Sequence, residues 1–137
     1  MTNQSKYTFE LPLQVRDYEV DAEGIVNNAE YLHYMEHTRH EFCKQAGYSF
    51  RRMQEDGLSP VVTKIEIEYK KSLGLGDDMR SCLNISRRGP LYIFQQDIYT
   101  PDGEAVTKAR VSIACLRNGL LTRGDELSEA FAKYLTV

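Results

Sequence analysis

The sequence predicts an α+β fold in which one long helix packs on a mostly antiparallel five-stranded sheet. Three patterns predict it: a period-two strand opens the chain, a single long run of helical spacing follows, and the remainder is a succession of strand patterns separated by short turns. Short connections join antiparallel neighbours, because a parallel crossover consumes a dozen or more residues. One long helix laid on such a sheet gives a two-layer α+β arrangement.

Between Tyr7 and Tyr18, Phe9, Leu11, Leu13 and Val15 alternate with Glu10, Pro12, Gln14 and Arg16, the signature of a strand with one buried face. Pro12 has no N–H to give to a ladder, which favours an edge or a bulge. After Gly24 the period changes. From about Asn28 to Ala46 the apolar positions Tyr31, Met35, Thr38, Phe42 and Ala46 recur at helical spacing, with Leu32 and Cys43 beside them and Gly47 as the stop. Ser49 and Gly57 bracket a short helical turn. Beyond Pro60 the strands resume. Ile65, Ile67 and Tyr69 alternate with charged residues, Met79, Ser81, Leu83 and Ile85 follow, and "LYIFQQDIY" and Ala109, Val111, Ile113 and Cys115 complete the set, with "RRGP" and "PDG" as turns. A terminal amphipathic piece carries Leu127, Phe131 and Tyr134 on one side.

A chain of 137 residues with 42% hydrophobic content is expected to form one domain, residues 1–137, with no internal repeat or linker. Its 20 acidic and 17 basic side chains leave a net charge of −3, so no overall field points to nucleic acid or an anionic membrane. No apolar run approaches the roughly 18 residues of a membrane span, and no basic, then apolar leader opens the sequence. A cytoplasmic location is the simplest expectation. Cys43, Cys82 and Cys115 have neither disulfide-framework nor metal-knuckle spacing and are expected to be buried, reduced thiols.

His33, His37 and His40 fall at i, i+4 and i+7, which can bring imidazoles to one helical face. That arc, shared with Lys44, lies nearly opposite the apolar stripe, so the histidines are expected to face solvent or another subunit, and no metal site is assigned. Arg39 lies close to the apolar arc, where its stem can follow the core and its head can pair with Glu36.

The stretch "EVDAEGIVNN" puts Asp21 just ahead of a glycine turn and a helix start. Gly24 permits the turn, and Asn27 or Asn28 can cap the helix. Asp21 can serve the turn alone, as aspartates often do. A helix N-terminus nevertheless offers free N–H donors and partial positive charge suited to a developing oxyanion, beside which a carboxylate can attack a carbonyl or activate water.

The segment "VRDYEVDAEGIVNNAEYLHYMEHTRHEFCKQAGYSF" closely resembles the opening of hotdog-fold thioesterases of the 4-hydroxybenzoyl-CoA thioesterase type, which include short-chain acyl-CoA thioesterases and single-domain plant acyl-ACP thioesterases. The pattern Asp-x-x-Gly-(Ile/Val)-Val, then Tyr-x-x-Tyr-x-Glu-x-x-Arg, is matched by Asp21, Gly24, Ile25, Val26, Tyr31, Tyr34, Glu36 and Arg39. "IEIEYKKSLGLGD" and "GEAVTKARVSIACL" resemble the later strands more loosely. The resemblance implies that Asp21 is the catalytic carboxylate, as nucleophile or general base, and that the Asn28 backbone N–H polarises the thioester carbonyl. Many relatives carry His at the Asn28 position, so no proton transfer is assigned to that side chain.

Tyr18, Glu23 and Tyr31 are candidate pocket residues. An acyl-CoA or acyl carrier protein thioester would bring phosphates, for which Lys70, Lys71, Arg87 and Arg88 are candidates. No cofactor is required, because a thiolate leaves readily. No G-x-S-x-G elbow occurs. The family precedent implies a homodimer or homotetramer with its site between subunits. Two rivals remain: a non-catalytic acyl-thioester binding module, and dehydration of a hydroxyacyl thioester, which would need a pocket histidine.

Overall fold

The computed structural model describes residues 6–136. The ends of the expected domain, residues 1–5 and 137, lie outside the described residues. Strand β1 (Phe9–Gln14) leads through a 3-10 turn (Asp17–Glu19) and a loop to helix α1 (Asn28–Gln45), followed by the short helix α2 (Phe50–Glu55). Four strands come next: β2 (Leu58–Tyr69), β3 (Asp78–Arg88), β4 (Leu91–Tyr99) and β5 (Ala105–Arg117). A two-residue strand, β6 (Leu120–Leu121), pairs with β5 ahead of a small helix, α3 (Ser128–Phe131), flanked by 3-10 turns.

The sheet order is β1-β3-β4-β5-β2, and every strand pair is antiparallel. The long helix on this sheet is the hotdog arrangement implied by the resemblance. β6 goes beyond the expected five strands, because "LL" after the Asn118-Gly119 turn carries no alternation to read. β1 is shorter than the alternation suggests. Its partner β3 begins at Asp78, opposite Gln14, and Val15 continues the apolar face beyond the ladder, bonded to the β2–β3 connection through Val15 N to Asp77 O at 2.9 Å and Gly76 N to Val15 O at 3.2 Å. Both prolines within strands, Pro12 and Pro60, lie on β1 and β2, the two edges, where a missing N–H costs the sheet no ladder bond.

The expected apolar stripe of α1 is the buried one: Tyr31, Met35, Thr38 and Phe42 are all within the core. Phe42 is its centre, with ring centroids 5.9 Å from Phe9, 6.1 Å from Phe94, 5.4 Å from Phe131 and 5.1 Å from Tyr134. The terminal segment therefore closes one end of the core, and Leu135 extends the β1 edge by bridging Ile85 of β3. The other end is built from Val15, Val26, Tyr31, Leu73 and Met79, directly under the loop that carries Asp21.

Candidate active site

The loop between the 3-10 turn and α1 is closed by backbone pairing at both of its ends. Val20 bridges Val26, Asp21 N donates to Ile25 O at 2.9 Å, and Gly24 N donates to Asp21 O at 2.9 Å. Gly24 has φ 83°, the left-handed conformation that this reversal requires. Val26 N donates to Leu73 O at 2.9 Å, and Ile25 bridges Gly74, so the loop rests on the β2–β3 connection.

Helix α1 starts immediately after this loop. Asn27 is the cap: its Oδ1 accepts from Ala29 N at 2.9 Å, which decides between the two asparagines. Glu30 N returns to Asn27 O at 2.9 Å. The Asn28 N–H takes no acceptor among the described residues. It is therefore an unspent donor at the positive end of an 18-residue helix.

Asp21 commits one carboxylate oxygen to the turn. Oδ1 accepts from Glu23 N at 2.8 Å and from Ile25 N at 3.4 Å, so the turn-forming role is real. Oδ2 accepts no hydrogen bond among the described residues. Asp21 and the Asn28 amide thus stand at the two ends of one closed loop, a carboxylate oxygen and an N–H donor both uncommitted. In the single chain Asp21 is exposed and borders none of the clefts described below.

Comparison with known proteins matches the chain to a family. The model of the thioesterase-like superfamily matches residues 15–135. The chain belongs to the thioesterase-like superfamily. It is similar to a putative esterase of Aquifex aeolicus, 32% identical over 106 residues that cover 77% of this chain and 83% of the relative. It is also similar to the putative acyl-CoA thioesterase YneP of Bacillus subtilis, 34% identical over 105 residues that cover 76% of each protein. Among solved structures, a hypothetical protein of Aquifex aeolicus aligns with TM-score 0.84 and 31% identity over 89% of this chain and 98% of that one.

Two carboxylates of this thioesterase, Glu19 and Asp97, are buried although no sequence pattern placed them in the core, and Glu19 bears on the loop. Glu19 is 7% exposed, and its Oε1 accepts from Arg16 N and from Tyr34 OH, each at 2.8 Å. Its carbonyl also takes Asn27 N at 3.2 Å. Glu19 therefore ties the entry of the Asp21 loop to the first turns of α1. Burial, then the Glu19 hydrogen bond, push the Tyr34 phenol well above its ordinary value. The only sequence signal was Tyr34 within the matched pattern, since an acid in a polar stretch looks solvated.

The other expected residues divide sharply. Glu23 lies in the loop and is exposed, and Tyr18 is 70% exposed with its hydroxyl accepting from Arg16 Nη1 at 2.9 Å. Tyr31 is a core residue in this chain. It is 2% exposed, and its hydroxyl accepts from Leu73 N at 3.2 Å, which anchors the connection beneath the loop. Lys70 and Lys71 follow β2 on the active-site side, paired loosely with Glu68 at 3.9 Å and Glu104 at 3.8 Å. Arg87 and Arg88 close β3 at the opposite end of the sheet, about 30 Å from its start at Asp78. Arg87 is also occupied: Nη2 donates to Asp125 Oδ1 and to Arg123 O at 2.7 Å, pinning the terminal segment.

Two helix-wheel expectations need correction. Arg39 does not pair with Glu36. Its Nη1 donates to Gln96 Oε1 at 2.9 Å, because the sheet offers a buried acceptor closer than the helix does. His33 and His37 are exposed as expected, but His40 is half-buried, stacked on Phe50 with centroids 4.2 Å apart. Burial lowers its pKa. The wheel could not anticipate that α2 folds back over this flank of α1. Among the described residues no three His, Cys, Asp or Glu converge to hold a metal ion, and no helix is long and apolar enough to cross a membrane.

Proposed function

We propose that this thioesterase hydrolyses an acyl thioester of CoA or of an acyl carrier protein to a free acid and a thiol, with Asp21 as the reacting carboxylate and the Asn28 N–H as the oxyanion donor. The observation that carries this reading is the pair of uncommitted groups, Asp21 Oδ2 and the Asn28 amide, at the two ends of the loop closed by Val20 and Val26. Attack on the thioester carbon puts negative charge on its oxygen. A fixed N–H on a helix end stabilises that charge without reorganising, and the thiolate leaves readily. Direct attack would give a mixed anhydride that water then cleaves, whereas general-base action would deliver water in one step. Both routes use the same oxygen of Asp21. Lys70 and Lys71, beyond the end of β2, are the candidates for the phosphates of the thiol moiety.

The exposure of Asp21 in one chain supports a site completed by a second copy. β2 is an edge strand, paired with β5 on one side and with no strand on the other among the described residues, and its Val62, Ile65 and Tyr69 are 43%, 38% and 45% exposed, a surface suited to cover by another subunit. A homodimer is the smallest functional unit on this reading, and a homotetramer is compatible with it.

Thiol release from a panel of acyl-CoA and acyl-carrier thioesters tests the reaction. Wild type releases thiol, and Asp21→Ala loses turnover while remaining folded. A variant that retains the wild-type rate on every hydrolysed thioester would overturn the role of Asp21. Saturable binding without release would instead identify an acyl-thioester binding module. Sedimentation of an active monomer would overturn the shared site.

A further inference from the structure

A cleft runs between the β2-facing flank of α1 and the inner side of β2. Its shallower part, about 150 Å³, is bordered by Leu32, Met35, Ile65 and Val111. Its deeper part, about 230 Å³, is bordered by Cys43, Met53, Val61, Phe94 and Ile113. Glu36, Arg39 and Val62 border both parts. Leu32 lies one helical turn beyond Asn28, and Ile65 lies four residues before Tyr69, whose hydroxyl donates to Asn28 O at 3.2 Å. The cleft therefore begins beside the proposed oxyanion donor and leads away along the helix.

Its walls are mostly apolar, with Arg39, Glu36, His33 and His40 on the border, and Arg39 is held in a set position by the sheet. Gln96 is fully buried, and its Nε2 donates to Met35 O at 3.0 Å. That bond fixes the orientation of the amide, so Oε1 receives Arg39 Nη1 at 2.9 Å. A guanidinium carries five N–H donors, and among the described residues this is the one hydrogen bond Arg39 makes. Burial lowers its pKa, and the neighbouring Glu36 charge partly offsets that. A cation against apolar walls is costly unless an acceptor meets it. Glu36, on the same rim, would repel a carboxylate there but can accept from a hydroxyl.

We propose that Arg39 is a specificity residue that binds a hydroxyl carried by an aliphatic acyl chain far from the thioester, the hydroxyl accepting from the Arg39 guanidinium and donating to Glu36. This rests on the proposed reaction at Asp21 and Asn28. Helical side chains lean toward the N-terminus, so the guanidinium meets the cleft about 10 Å along α1 from Asn28, the span of a medium-length chain. A plain alkyl chain fills the same apolar walls but adds no acceptor for the Arg39 donors beyond Gln96 Oε1.

The test compares kcat/KM for ω-hydroxydecanoyl-CoA and decanoyl-CoA in wild type, Arg39→Met and Arg39→Lys. The ratio of the two substrates within each variant is independent of how much of that variant is folded. Wild type is expected to prefer the hydroxylated chain by about tenfold, Arg39→Met to bring the ratio to one or below, and Arg39→Lys to retain part of it. A wild-type ratio of one, or a ratio unchanged in Arg39→Met, overturns the inference and leaves the hydrolysis standing. If Arg39→Met becomes monomeric with its ratio unchanged, Arg39 serves a contact between copies and the inference is likewise overturned. If no thioester releases thiol, the proposed reaction fails. Calorimetric binding of ω-hydroxydecanoate and decanoate to wild type then reads the inference directly, and equal affinities overturn it.

Discussion

Replacing Tyr34 with Phe removes one hydroxyl from a buried clamp and leaves everything around it in place. Tyr34 and Glu19 are 5% and 7% exposed, and the bond between them is 2.8 Å long. Glu19 Oε1 keeps the Arg16 N–H in the variant, so the carboxylate is weakened in its partners but not orphaned. A hydrogen bond to a charged group contributes about 1.5–3 kcal/mol, and about 2 kcal/mol is the expected loss. With 137 residues, unfolding near Tm carries an entropy of about 0.29 kcal/mol/K, so that loss lowers Tm by about 7 °C. Thermal unfolding followed by circular dichroism reads this directly. Glu19→Gln keeps an acceptor but gives up the charge, and the double variant with Tyr34→Phe is expected to show coupling of about 1 kcal/mol or more. Turnover of a hydrolysed thioester should fall in both single variants, because the clamp sets the loop that presents Asp21. A Tyr34→Phe protein that melts within 1 °C of wild type, as a rough threshold, with additive energies in the cycle, would refute a structural clamp between Glu19 and α1.

The three thiols predict alkaline lability. Burial pushes Cys43 and Cys82 up to about 12 and Cys115 up to about 11, from an ordinary value of 9.0. The folded state therefore holds these protons when the unfolded chain releases them. Their contribution is complete below pH 9.0 and is lost as pH rises from there toward 11 or 12. Each thiol adds a slope of about 1.4 kcal/mol per pH unit in that window, and urea unfolding at stepped pH measures the sum. Replacing all three by Ala or Ser should flatten the curve. Cys82 and Cys115 are fully buried, so a thiol reagent should label them only after denaturant is added. The two glycines Gly24 and Gly124 have nearly equal φ, 83° and 82°, but a Cβ at Gly24 meets nothing within 4 Å while at Gly124 it would stand 2.8 Å from Pro90 O. Gly24→Ala should cost about 1 kcal/mol from the left-handed backbone, and Gly124→Ala distinctly more, a difference that denaturant titration of the pair resolves.

Arg39 and His40 mark where sequence reading ended. Both lie on α1 as the period predicted, yet the partner of Arg39 is Gln96 on β4, 57 residues away, and the neighbour of His40 is Phe50 on α2. Tyr31 and Tyr34 read alike as pattern residues, but one hydroxyl supports the β2–β3 connection and the other holds Glu19.

Local chemistry, by itself, determined the strand and helix periods, the stripe that α1 buries, the Gly24 reversal and the juxtaposition of Asp21 with a helix start, because each depends on neighbours a few residues away. Tertiary structure alone decided which asparagine caps α1, that Glu19 is buried, that Arg87 and Arg88 lie at the far end of the sheet, and that a cleft bordered by Arg39 and Glu36 opens beside β2. Those features depend on distant segments meeting across the core, and burial and pairing energies exist only once the segments have met.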